Sequence, residues 1–256
     1  MVTRARRSPA LGLLAIALAA APASAQPAPG AIPPLRVLFV GNSYTSVNDL
    51  PAMFAALAGA GGFEVRTGIA APGGWTLAQH AASAETLAAI RGNRWHWVVL
   101  QEQSVVPAVA RERDERMLPA VRALAREIAA VGGAPLLYMT WGRRDGLPSA
   151  GYGDYAALQR ALSDAYLGIA RELGIGVAPV GLAWNDARSR APEIALWQAD
   201  GSHPTVQGTY LAACVFYAAI LRRSPVGVAY AGGLAPGQAR VLQEVAADAV
   251  ARVRAP

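Results

Sequence analysis

Trp95-His96-Trp97-Val98-Val99-Leu100-Gln101 is an almost unbroken apolar run of strand length, and Ala134-Pro135-Leu136-Leu137-Tyr138-Met139-Thr140 is a second. A strand with one face in water alternates apolar and polar side chains. A run apolar at nearly every position is covered on both faces, as the strands of a parallel sheet are. Working outward from these two, residues 35–40, 63–69 and 176–179 read as further strands. Stretches of helical periodicity lie between them at 51–58, 75–90, 108–131 and 154–173, and two more, 204–221 and 236–253, close the chain. Residues 181–202 show no clear period and read as irregular. This alternation predicts one α/β domain, a doubly wound sheet of about five parallel strands between layers of helices.

Composition agrees with that reading. Of 256 residues, 54% are apolar and 16% charged, too apolar for a disordered chain, and a single cysteine rules out a disulfide scaffold. Arg4, Arg6 and Arg7, an apolar run at 11–21, Pro22 and Ala23-Ser24-Ala25 follow the order of a secretory signal with a small-residue cleavage site. The apolar run is too short to span a bilayer. The expectation is therefore a cleaved signal peptide at 1–25, a Pro/Ala-rich linker at 26–34 and a domain at 35–256, exported to the periplasm or secreted, with no membrane anchor. Removing the signal, which holds three arginines and no acid, takes the net charge from +6 to +3. The chain has no lysine, and its densest charge cluster, Arg111-Glu112-Arg113-Asp114-Glu115-Arg116, mixes signs as a solvated helix face does, so no nucleic-acid partner is expected. Cys214, among Leu211, Ala212, Ala213, Val215 and Phe216, reads as a buried, inert thiol.

Ligands of doubly wound sheets sit beyond the carboxyl ends of the strands. The residues that follow each strand are therefore the candidates for chemistry. After the first strand, Gly41-Asn42-Ser43-Tyr44-Thr45 places a serine hydroxyl at that edge. Such a hydroxyl needs an imidazole to take its proton, and the imidazole needs a carboxylate to hold its tautomer and stabilise the imidazolium. Asp200-Gly201-Ser202-His203-Pro204 supplies both from one loop, since Gly201 permits a sharp turn and Pro204 biases His203 toward an extended backbone. The other two histidines, His80 and His96, have no such acid and turn beside them. Charge developing on a carbonyl oxygen also needs N–H donors. Three follow separate strands: the backbone of Ser43, the backbone of Gly74 in Ala71-Pro72-Gly73-Gly74-Trp75-Thr76, and the side chain of Gln103 in Leu100-Gln101-Glu102-Gln103-Ser104.

These blocks resemble those of the SGNH (GDSL-type) hydrolase superfamily. Gly41-Asn42-Ser43 is similar to the first block, Gly74 to the second, residues 100–104 to the third and Asp200-Gly201-Ser202-His203 to the last. The last is the most specific, because in this superfamily the acid lies three residues before the histidine. The resemblance implies a flavodoxin-like three-layer α/β/α fold, no metal, no cofactor, and ester or acyl cleavage through an acyl-serine. Asn42 departs from the Asp more usual in the family, and Gln103 from the oxyanion Asn, which is one methylene shorter. Gln101 is the alternative donor, and Glu102 the alternative partner for His203.

The loops after the strands also hold Tyr44, Trp75, Trp141 and Arg143, with Trp184 further on: aromatic rings for stacking on sugars and an arginine for an acidic group. The expected protein is an exported serine esterase acting on a small-molecule or carbohydrate ester. In it Ser43 attacks, His203 moves the proton and Asp200 orients His203. An O-acyltransferase on the same fold, or a silent carbohydrate-binding domain, are the other readings.

Overall fold

The apolar run around Val98 forms the central strand of a five-stranded, all-parallel sheet. In a computed structural model that describes residues 1–3 and 33–254, the strands are β1 (Leu35–Val40), β2 (Val65–Ala70), β3 (Trp97–Leu100), β4 (Ala134–Tyr138) and β5 (Gly176–Ala178). The predicted signal from Arg4 onward, and the linker up to residue 32, lie outside the described residues. The helices are α1 (Ser43–Ser46), α2 (Leu50–Ala60), α3 (Leu77–Ala82), α4 (Ala84–Arg91), α5 (Ala110–Glu112), α6 (Leu118–Ala130), α7 (Tyr155–Leu173), α8 (Val180–Arg190), α9 (Val206–Leu221) and α10 (Pro236–Arg254).

Three elements differ from expectation. The helix read at 75–90 is two helices, broken at Ser83, whose backbone is extended and whose hydroxyl accepts the Thr86 N–H to start α4. The helix read at 108–131 contains Pro119, which lacks an N–H for the helical ladder, and a π-helical turn at Arg113–Met117 lies just ahead of it. The stretch read as irregular, 181–202, holds α8 over its first half. Its buried face is Val180, Gly181, Ala183, Trp184 and Ala187, mostly small residues that leave little periodic signal. Gly181 is required there, because a Cβ would lie 2.2 Å from the Thr140 carbonyl oxygen.

The pleat of β1 divides the core. Val37 and Phe39 face α2, α8, α9 and α10 through Phe54, Trp184, Phe216 and Leu242, while Leu38 and Val40 face α3, α4, α6 and α7 through Leu77, Ile90, Leu124 and Ile169. Phe39 meets the edge of Phe216 with ring centroids 5.2 Å apart. All of these side chains are buried, and burying each is worth roughly 1.5–3 kcal/mol. Helices on both faces of a parallel sheet make the three-layer α/β/α architecture. Cys214 lies fully buried in α9, where burial pushes its thiol pKa up and keeps it protonated.

The strand order β2-β1-β3-β4-β5 puts the reversal of winding between β1 and β3. Connections leave β1 and β3 toward opposite sides there, opening a crevice at their carboxyl ends. Gly41 to Thr45 and Gln101 to Ser104 are the two segments that line it.

Candidate active site

Gly41 ends β1 where there is no room for a side chain: a Cβ would lie 2.5 Å from Gln101 Oε1 and 2.6 Å from Thr45 Oγ1. Gln101 exploits the closeness. Its Oε1 accepts the Asn42 N–H and the Thr45 hydroxyl, both at 2.9 Å, and its Nε2 donates to Asn42 Oδ1 at 2.9 Å and the Glu102 carbonyl at 2.6 Å. Asn42 caps α1 by accepting the Tyr44 N–H (3.1 Å) and donates from Nδ2 to the Trp75 carbonyl (2.9 Å). An aspartate could not make that last bond, which gives the amide a physical reason at this position. Buried His80 holds the same turn, with Nε2–H donating to the Gly41 carbonyl (2.7 Å) and Nδ1 accepting the Thr86 hydroxyl (2.9 Å). Burial lowers its pKa, with the Gly41 bond opposing, so it is a neutral structural histidine. Ser43 thus starts a helix that the loops after β2 and β3 pin in place.

The second half of the site is a closed turn. Gly201 is left-handed (φ +64°), and Asp200 Oδ1 accepts the N–H groups of Ser202 (2.9 Å) and His203 (3.0 Å). Trp197 and Pro204 form an antiparallel bridge, and the Gln198 N–H donates to the His203 carbonyl at 2.8 Å. Asn48 ties this turn to the Ser43 segment: its Nδ2 donates to the Pro204 carbonyl (3.1 Å) and Thr209 Oγ1 (3.0 Å). Capping of α9 falls to Thr205, which accepts the Gly208 N–H. Asp200 and His203 are free of that task.

These two segments bring three side chains together. Ser43 Oγ lies 2.9 Å from His203 Nε2, and His203 Nδ1 lies 2.5 Å from Asp200 Oδ2. Partial burial acts to raise the Asp200 pKa, but the bonds from the His203 side chain and from two backbone N–H groups outweigh it and bring the pKa to about 2. The carboxylate is therefore charged at neutral pH and holds Nδ1–H, leaving Nε2 to accept from the serine hydroxyl. Side-chain exposures of 34% for His203 and 46% for Asp200 set the trio at an open surface. None of these side chains lines the best-formed cavities among the described residues.

A protein from Slackia heliotrinireducens assigned as an SGNH hydrolase is 30% identical to this chain, covering 73% of this chain and 100% of its own, with a TM-score of 0.63. The chain belongs to the SGNH hydrolases. A DUF4886 family protein from Bacteroides uniformis shares the fold at 19% identity, with a TM-score of 0.76 over 87% of this chain and 97% of its own. So does an acetylxylan esterase from Geobacillus stearothermophilus at 18% identity, with a TM-score of 0.56 over 73% of this chain and 94% of its own. No family model and no curated protein matches the chain.

In this SGNH hydrolase the candidate oxyanion donors differ in readiness. The Ser43 and Gly74 backbone N–H groups have no acceptor among the described residues, and Gly74 sits at φ +74° at the surface. Gln103 is folded into its own loop: Oε1 accepts the Val105 N–H (3.0 Å) and Nε2 donates to Ser104 Oγ (3.2 Å), leaving one Nε2 hydrogen. Gln101, the alternative donor, has both of its Nε2 hydrogens engaged with Asn42 and Glu102 and serves the turn instead. Glu102, the alternative partner for His203, binds the N–H groups of Leu77 and Gln103, while Asp200 holds the imidazole.

Tyr44 and Trp141 are not cleft residues. Both are buried, and Tyr44, Trp141 and Trp184 form a stacked column with centroid spacings of 4.6 and 3.9 Å, so their faces are occupied by one another. The Tyr44 hydroxyl bonds Ser202 Oγ at 2.6 Å, and Trp141 Nε1 donates to the Ser202 carbonyl at 3.0 Å. Their work is to brace the turn that carries Asp200 and His203. Trp75 and Arg143 remain half-buried, and Arg143 Nε is enclosed without a partner among the described residues. Sequence reasoning missed Asn48, Ser202 and Gln101 as fasteners, because their partners are remote in the chain.

Glu102 is fully buried, and its Oε2 has no partner among the described residues. Burial pushes its pKa up from 4.5 to about 7, against the two N–H bonds that lower it. Between about pH 4.5 and 7 the folded state thus binds more protons than the unfolded chain, so this group's stabilisation falls as pH rises through that window. The difference in unfolding free energy between pH 5 and pH 8 is expected to reach about 3 kcal/mol at most. Denaturant titrations of wild type and Glu102→Gln across that range check it. The variant should lose the decline, and parallel curves would remove Glu102 as its source.

Proposed function

We propose that this protein is a serine ester hydrolase that removes a small acyl group from an accessible alcohol, such as a carbohydrate hydroxyl, through an acyl-Ser43 intermediate. The continuous hydrogen-bonded chain from Ser43 through His203 to Asp200 carries the reading. Ser43 Oγ attacks the ester carbonyl carbon as its proton passes to His203 Nε2, and Asp200 stabilises the resulting imidazolium. The oxyanion is met by the N–H groups of Ser43 and Gly74 and by Gln103 Nε2 once it leaves Ser104. Collapse breaks the bond to the alcohol oxygen, which takes the proton from His203. Water then repeats the sequence and frees the acid and Ser43.

The open surface around Ser43 supports a short acyl group on a large or polymeric alcohol, since a long chain would need an enclosed apolar slot. It also supports hydrolysis over transfer to a second alcohol, because water reaches the acyl-serine. The N-terminal sequence supports export to the periplasm or beyond. A fluorophosphonate probe should attach one equivalent at Ser43, located by peptide mass mapping. In a panel of p-nitrophenyl esters, acetate should exceed octanoate in kcat/KM by about tenfold or more, at ~1.4 kcal/mol per factor of ten. No adduct at Ser43 would sink the proposal.

A further inference from the structure

A cavity of about 320 Å³ lies beside the Asp200–His203 turn, walled by Arg144, Arg188, Pro192, Ile194, Leu196 and Trp197. It shares that turn with the site: the Arg144 N–H donates to the Gly201 carbonyl at 2.8 Å, and Trp197 bridges to Pro204, next to His203. Its volume is at the lower end of the roughly 300–1,000 Å³ of ligand sites. Arg188 is held in an unusual way. Its guanidinium lies 4.0 Å over the Tyr155 ring and 5.4 Å from Trp197, in no ion pair among the described residues. Aromatic faces orient a planar guanidinium without occupying its N–H donors, which stay available for a bidentate carboxylate. Of the neighbouring acids, Asp186 pairs with Arg252 and leaves Arg188 uncompensated, while Arg144 holds Asp145 only at 3.5 Å and would exchange that contact for the carboxylate of a ligand. Half-buried Trp197, with Ile194 and Leu196, adds an apolar wall of the kind a sugar ring packs on.

Resting on the ester-hydrolase reading, we infer that this cavity is a subsite for an acidic sugar, with Arg188 and Arg144 gripping a hexuronate carboxylate and Trp197 flanking the ring. The acylated hydroxyl then belongs to a neighbouring residue of the same acidic oligosaccharide, placed over Ser43.

Two measurements separate the subsite from the chemistry. First, kcat/KM on an acetylated hexuronate oligosaccharide is divided by that on p-nitrophenyl acetate, which is too small to engage both places. Arg188→Gln and Arg144→Gln should each lower this ratio about 10- to 100-fold through KM, as expected for loss of charged hydrogen bonds, and Arg188→Lys should fall between. Second, calorimetry with the unacetylated hexuronate oligosaccharide reads binding alone, using Ser43→Ala as host. Binding should vanish with added Arg188→Gln and should weaken with salt. Equal binding of a neutral xylo-oligosaccharide, or unchanged ratios and binding in both arginine variants, overturns the subsite. If wild type turns over no ester yet binds the acidic oligosaccharide through Arg188, the hydrolase reading fails while the subsite stands.

Discussion

Replacing Ser43 by Ala is expected to lower kcat on p-nitrophenyl acetate by at least about 10,000-fold with little change in KM. Among the described residues, the Ser43 hydroxyl is the one hydrogen-bonded to His203 Nε2, at 2.9 Å, and in the proposed mechanism it forms the acyl-enzyme. The alanine variant retains the N–H donors, so a small residual rate over water survives. Folding should be unaffected, because among the described residues the Ser43 hydroxyl has only His203 as partner, while the turn is held by Asn42, Gln101 and His80. His203→Ala should fall about as far, and the double variant no further than the worse single one, since the two groups act as one unit. A Ser43→Ala protein keeping more than about a tenth of wild-type kcat would remove the nucleophile from the mechanism.

Asp200→Asn should cost about 10,000-fold in kcat while leaving the turn folded. The asparagine carbonyl can still accept the N–H groups of Ser202 and His203, now bound at 2.9 and 3.0 Å. Its amide nitrogen, however, would face His203 Nδ1 and donate to it. That moves the imidazole proton to Nε2, where it can no longer accept the Ser43 proton. A midpoint of thermal unfolding close to wild type, together with collapsed kcat, separates this tautomer effect from loss of structure. In the wild type, Asp200 is depressed from 3.8 to about 2, so its contribution to stability is present above about pH 4 and is lost as pH falls toward 2. That window lies below the one set by Glu102, so the two are resolved in one pH series. Activity of Asp200→Asn within tenfold of wild type would mean that another group orients His203.

Much of the architecture was legible because it depends on local pattern. Runs such as Val98-Val99-Leu100 are buried on both faces, and their short length and β-branched residues favour a covered strand over a buried helix such as α9. Asp200-Gly201-Ser202-His203 was legible for a related reason, since acid, turn and imidazole lie within four residues and their mutual geometry is set by the backbone there. The helix at Val180–Arg190 was not legible: Gly181, Ala183 and Ala187 bury little surface, so the period that marks an amphipathic helix is faint. Nor were the roles of Tyr44 and Trp141. An aromatic residue after a strand reads alike whether its face meets substrate or another ring, and here Trp184, far along the chain, decides the matter.

By itself, then, the order of residues determined the layered α/β class, the serine-bearing turn after the first strand and the acid–imidazole pair near the end, because each is written in short-range periodicity or spacing. Only the tertiary structure decided that Ser43 meets His203, that Gln101 is spent on the turn rather than offered to substrate, and that Glu102 is sealed from water. Those outcomes depend on strand order and on hydrogen bonds between segments far apart in the chain, and no local pattern encodes such long-range geometry.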